Sequence, residues 1–187
     1  MMPSSILDNK KQKMEHYWWS KWILILFLIV SFSACKSILS KKKMEEKLKH
    51  LERFNYEFTD SSVPPPFHRS YTIAVDKDSV QLIVDSYGET LAQKEYPMPE
   101  NGLEMIKTAL LKHKINKAFK ERKSKGCTGG TTEEISFGMP EEPNFFSARV
   151  YHCGGTDYGT LTGDVDSFLL DIRPLTPDLK EVIQSTR

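Results

Sequence analysis

The chain has 187 residues with 26 lysines and arginines against 25 aspartates and glutamates, a net charge of +1. That near-neutral balance carries no basic excess of the kind that binds nucleic acid, and the three cysteines are too few for a disulfide-dense miniature scaffold. The length suffices for one domain with a real hydrophobic core.

An apolar run, Trp22 to Cys35, lies between Lys21 and Lys36. Its fourteen residues would span about 21 Å as a helix. A bilayer core of about 30 Å asks for about 20 apolar residues, so the run is short for a permanent span. It has the length of a signal-peptide core, and Lys10, Lys11, Lys13 and Lys21 supply a basic leader after either Met1 or Met14. Tyr17-Trp18-Trp19 suits a membrane interface.

The run ends in Phe32-Ser33-Ala34-Cys35, which resembles the lipobox of bacterial lipoprotein precursors, in a form like that of the Bacteroidota. Ser33 and Ala34 match the pattern, and Phe32 departs from its commonest residue, leucine. The resemblance implies a signal peptide over 1–34, a diacylglyceryl group on the Cys35 thiol, and cleavage just before it. It implies a protein held on a membrane of the cell envelope by lipid. Lys36 to Ser40 carries no acidic tract of the kind found in some surface-displayed lipoproteins, which favours the periplasmic side. An uncut signal anchor and a plain secreted protein are the alternatives.

Residues 35–66 are expected to form a lipidated N-terminus and stalk. Lys41-Lys42-Lys43 is a solvated charge run or a head-group contact. Met44, Leu48 and Leu51 suggest a short amphipathic helix, Phe54, Tyr56 and Phe58 an extended segment, and Ser61 to Pro66 a stiff spacer.

A single α+β domain is expected over 67–187: an antiparallel sheet of about five or six strands, with one main helix and a short C-terminal helix on one face. Tyr71, Ile73 and Val75 pair with Val80, Leu82 and Val84 in a hairpin, and Thr90 to Tyr96 is a third strand ended by Pro97 and Pro99. Asn101 and Glu104 have the form of a capping box, starting a helix with Leu103, Ile106 and Leu110 inward. The stripe then shifts to Ile115, Ala118 and Phe119, predicting a kink or a break near His113. Lys112 to Lys125 holds seven basic residues against Glu121, read as an exposed helix face, an acidic-partner surface or a head-group contact. Ile135 and Phe137 mark a strand, and Phe146, Ala148, Val150 and His152 share one face of the next. Gly154 to Asp164 reads as a glycine-rich loop, Phe168, Leu170 and Ile172 as a last strand, and Thr176-Pro177-Asp178 as the cap of a terminal helix.

After Cys35 is taken by lipid, Cys127 and Cys153 remain, and an even pair in an exported chain predicts a disulfide. A metal reading through Cys127, Cys153, His152 and Asp157 lacks the close ligand pairs of zinc sites. Calcium at Asp157, Asp164 and Asp166 lacks the spacing of a helix–loop–helix site. No cofactor motif or nucleophile elbow occurs. The candidate binding residues are Tyr158, Asp157 and His152. They fit a non-catalytic binding or structural module for another protein or an envelope component. Two other functions fit less well: a small inhibitor of exported hydrolases, or a hydrolase or thiol enzyme using His152, Cys153 and Asp157.

Overall fold

The computed structural model describes residues 44–46, 48–124, 126–139 and 145–187. The apolar run, the lipobox, Cys35 and Lys41 to Lys43 lie outside the described residues.

Eight strands build one antiparallel sheet: β1 (Arg53–Thr59), β2 (Ser70–Val75), β3 (Ser79–Ser86), β4 (Glu89–Pro97), β5 (Asn116–Arg122), β6 (Thr131–Gly138), β7 (Phe146–Cys153) and β8 (Thr156–Thr162). They lie in the order β4-β3-β2-β1-β6-β7-β8-β5. The α+β reading therefore stands with a larger sheet than the sequence suggested, and three misread segments, β1, β5 and β8, supply the extra strands. The stretch 116–122, expected as helix, is β5, and the expected glycine-rich loop is largely β8. The Gly154-Gly155 pair is instead the two-residue turn joining β7 to β8, with φ of 61° and 74°. Positive φ at both positions matches the twist of a hairpin.

The expected stalk also gives way. Phe54, Tyr56 and Phe58 belong to β1, which sits mid-sheet between β2 and β6, so the domain begins well before Phe67. Residues 60–69 are the β1–β2 connection rather than a free spacer. Asp60 Oδ2 accepts the Arg69 backbone N–H at 3.0 Å. The Arg69 side chain donates to the His68 carbonyl at 2.6 Å and to both the hydroxyl and the carbonyl of Thr186. That clamp ties the connection to the C-terminal end of the chain.

One sheet face is apolar. Phe54 and Tyr56 of β1 stand in register with Val75 and Ile73 of β2 and with Phe137 and Ile135 of β6, and the row continues to Leu82 and Ala148. All of these are buried. Burying such side chains stabilises the fold by about 1.5–3 kcal/mol each. The helices α1 (Gly102–Lys112), α2 (Val165–Ile172) and α3 (Leu179–Ser185) supply the cover. Phe168 of α2 meets Phe54 with ring centroids 5.6 Å apart. Lys112 and His113, at the end of α1, both reach Asp171 of α2 at 2.7 Å.

Three local expectations are corrected. Residues 165–172, read as a strand, are α2: Asp164 accepts the Ser167 N–H at 3.0 Å, and Phe168 and Ile172 face inward one turn apart. The Asn101 side chain makes no cap bond, and Glu104 pairs with Lys107 at 2.7 Å instead of reaching back. The terminal helix starts after Asp178, not at Pro177, and the Asp178 carboxylate is occupied by Lys94 and Tyr96 rather than by the helix N-terminus.

Candidate functional site

Two concave regions flank the β6–β7–β8 end of the sheet, one on each face. The first opens where the apolar face runs out. Ile135 and Phe137 alternate inward on β6, and the same alternation puts Glu133 on that buried face with its side chain 13% exposed. Val150 is its register partner on β7. Two residues further along β7 stands His152, opposite Asp157 of β8. Asp164 and Asp166, at the start of α2, and Arg122 of β5 complete a cleft of about 320 Å³.

His152 is held from two sides. Its Nδ1 lies 2.7 Å from Asp157 Oδ1, and its Nε2 lies 3.9 Å from Glu133 Oε1. An ionised carboxylate only accepts, so Nδ1 carries the proton and Nε2 faces Glu133. Burial pushes the Glu133 carboxyl above its ordinary range, and Asp166 and Asp157 push the same way, while His152 and the Tyr56 hydroxyl pull it back. Burial likewise raises Tyr56 and Tyr71, which share a hydrogen bond beside it. Asp164 is shifted down because the Ser167 backbone N–H donates to its carboxylate.

The second region is a groove of about 420 Å³ on the polar face, lined by Arg122, Lys123, Arg149, Tyr151 and Tyr158 among others. Tyr151 and Tyr158 are cross-strand partners with rings 6.4 Å apart. A disulfide joins Cys127 to Cys153 with Cα atoms 6.2 Å apart, fastening the β5–β6 loop to the end of β7. Gly130 sits under this loop, where a Cβ would lie 2.1 Å from the His152 carbonyl oxygen.

The candidates from sequence thus separate. His152 and Asp157 meet in the first cleft. Tyr158 lies on the opposite face, inside a strand rather than on a loop, so it anchors nothing jointly with them. Cys153 is in a disulfide, which removes it as a thiol nucleophile or a thiolate ligand. Asp164 caps a helix, and among the described residues no three His, Cys, Asp or Glu side chains are grouped to hold a metal ion. Glu133 was not singled out, although a carboxylate two residues before an inward Ile135 was the available signal.

Chemically, the first cleft offers an oriented imidazole, a carboxyl with raised proton affinity and further acids. That set can grip a basic group or move a proton. The groove offers cations beside two aromatic rings. Comparison with protein-family models, curated proteins and solved structures gave no match to this chain.

Proposed function

We propose that this chain is a cell-envelope lipoprotein, tethered by lipid on Cys35 and facing the periplasm. Its domain binds another protein or an envelope component without turning it over. The observation that carries the reading is the Cys127–Cys153 bridge. Disulfides persist in oxidising compartments, so the bridge supports export independently of the leader's resemblance to a lipobox. The cleft around Glu133 supplies the grip, and its excess of carboxylates suits a lysine or arginine side chain of the partner.

The test uses the full chain, tagged and cross-linked in the envelope. Partners recovered with the native chain should be lost with Glu133→Gln combined with Asp157→Asn. Equal recovery with that variant rejects the cleft as the binding site, and no recovery together with robust hydrolytic turnover rejects the module reading.

The His152–Asp157 pair supports a second reading, a hydrolase in which His152 is a general base oriented by Asp157. Turnover by the purified chain that disappears in His152→Ala would favour it.

A further inference from the structure

We propose that β5 and the groove beside it form a docking surface for an anionic phospholipid membrane. The observation is a departure from sheet geometry. Asn116 and Lys117 pair with Thr162 and Leu161 of β8, and the next paired residue is Arg122, opposite Gly159. Four residues, 118–121, therefore stand against Thr160 alone. This is far more than the one extra residue of an ordinary bulge. The excess length stands outside the regular ladder, and within it Phe119 is fully open to solvent, with a relative exposure of 108%.

Cations surround this ring along the chain: Lys117, Lys120, Arg122 and Lys123, with Arg149 across the groove. Glu121 lies 3.8 Å from Arg149, whose cross-strand partner on β6 is Glu134, and Arg122 also borders the carboxylates of the first cleft. Lys117 and Lys120 have no carboxylate within ion-pair distance among the described residues. An edge strand commonly carries lysines to prevent edge-to-edge pairing, but that task does not explain an unsupported phenylalanine between them. The two together do match a lipid interface. Spread positive charge is drawn to anionic head groups, a protruding aromatic enters the acyl boundary, and tyrosines such as Tyr158 lie comfortably at head-group depth. A protein partner would be expected to offer its carboxylates at fixed points, whereas these cations are strung along a strand and a loop. The charge pattern therefore favours the smeared charge of a membrane.

The proposal goes beyond the tethered-module reading and does not require the tether, although the tether would supply the proximity. Only ten residues separate Cys35 from Glu46, a reach of at most about 40 Å. A domain so leashed meets the membrane surface continually.

Backbone hydrogen exchange on the full chain decides it. Vesicles of pure phosphatidylcholine are compared with vesicles containing phosphatidylglycerol. The amides of 116–123 should exchange at least about fivefold more slowly with the anionic vesicles, and that slowing should vanish in Phe119→Ser and in Lys117→Glu with Lys120→Glu. Unchanged exchange in β6 and β7 shows that the variants remain folded. Equal exchange with both vesicle types overturns the proposal, as does protection that survives both sets of substitutions. Repeating the measurement with Cys35→Ala separates it from the lipid-anchor reading. Loss of the tether leaves the anionic-lipid protection in place if the patch binds, and abolishes it if the tether alone had produced it.

Discussion

At Gly159 the sheet leaves no room for a side chain. Its φ is +105°, and a Cβ there would lie 2.3 Å from the Arg149 carbonyl oxygen. Gly88, in the β3–β4 turn, also has positive φ, at +88°, but nothing lies within 4 Å of its Cβ position. Gly159→Ala combines strain with a backbone clash and should cost about 2–4 kcal/mol, whereas Gly88→Ala should cost only about 1 kcal/mol. Urea midpoints of the two variants check the contrast, and equal losses would mean that the clash is relieved by a local shift. Glu133 makes an opposite prediction. Its carboxyl is raised by burial above the ordinary 4.5, so the folded chain holds that proton more tightly than the unfolded chain does. Stability then falls as pH rises from 4.5 through the folded value, and ionised Glu133 costs stability above both. Glu133→Gln should raise the urea midpoint at pH 7 and leave it nearly unchanged at pH 4. A variant less stable than the native chain at pH 7 would show that the carboxylate is net stabilising.

The elements that misled the sequence reading did so for local reasons. Phe168, Leu170 and Ile172 alternate like a strand, yet Leu170 is 66% exposed. The inward pair is Phe168 and Ile172, and the cap that starts this helix is Asp164, three residues before Ser167. In contrast, the β2–β3 hairpin was legible because its alternation and its Asp76 turn pointed the same way. The end of α1 was legible as a break near His113 from the shift of its apolar stripe, although its stop signal lacks glycine. Ile115 N–H bonds the Leu110 carbonyl at 2.9 Å, and Lys114 N–H bonds that of Leu111 at 3.3 Å. Those two bonds, with Leu110 and Ile115 both buried, form a Schellman motif. Lys114 occupies its left-handed position at φ 55°, where glycine carries no Cβ penalty. Lys114→Gly should therefore stabilise the chain by about 0.5–1 kcal/mol, read as a higher melting temperature. A lower one would mean that the lysine side chain contributes more than its strained backbone costs.

For the molecule as a whole, the consequential misreading was the boundary at residue 67. The Ser61 to Pro66 segment has a spacer's composition, so the sequence placed Phe54, Tyr56 and Phe58 outside the domain. The partners of Tyr56 (Ile73 and Ile135) lie far along the chain, as do those of Phe54 and Phe58, and no local pattern shows that pairing. A chain begun at Ser61 loses β1 and leaves β2 and β6 each with an unpaired edge in mid-sheet. It should be insoluble or unfolded by circular dichroism, whereas a chain begun at Glu46 keeps every strand. A cooperative unfolding transition from the shorter chain would show that β2 and β6 can close on each other.

The cysteines connect this fold to its proposed address. Cys127 and Cys153, 26 residues apart, close a loop whose constraint on the unfolded chain is worth about 3 kcal/mol. Reduction should therefore lower stability by about that amount without removing the sheet, since the bridge joins a loop to a strand end and crosses no core row. In the unreduced, denatured chain neither of these two cysteines should react with a thiol reagent. Any thiol that does react must then be Cys35, which makes the same titration a test of the anchor. A lipid-modified Cys35 leaves no reactive thiol, and Cys35→Ala leaves none for a different reason, so mass spectrometry of the mature amino terminus must accompany it. An acylated peptide beginning at Cys35 agrees with the envelope reading. One free thiol on a chain that still contains Trp22 removes the lipid and leaves the disulfide alone to argue for export.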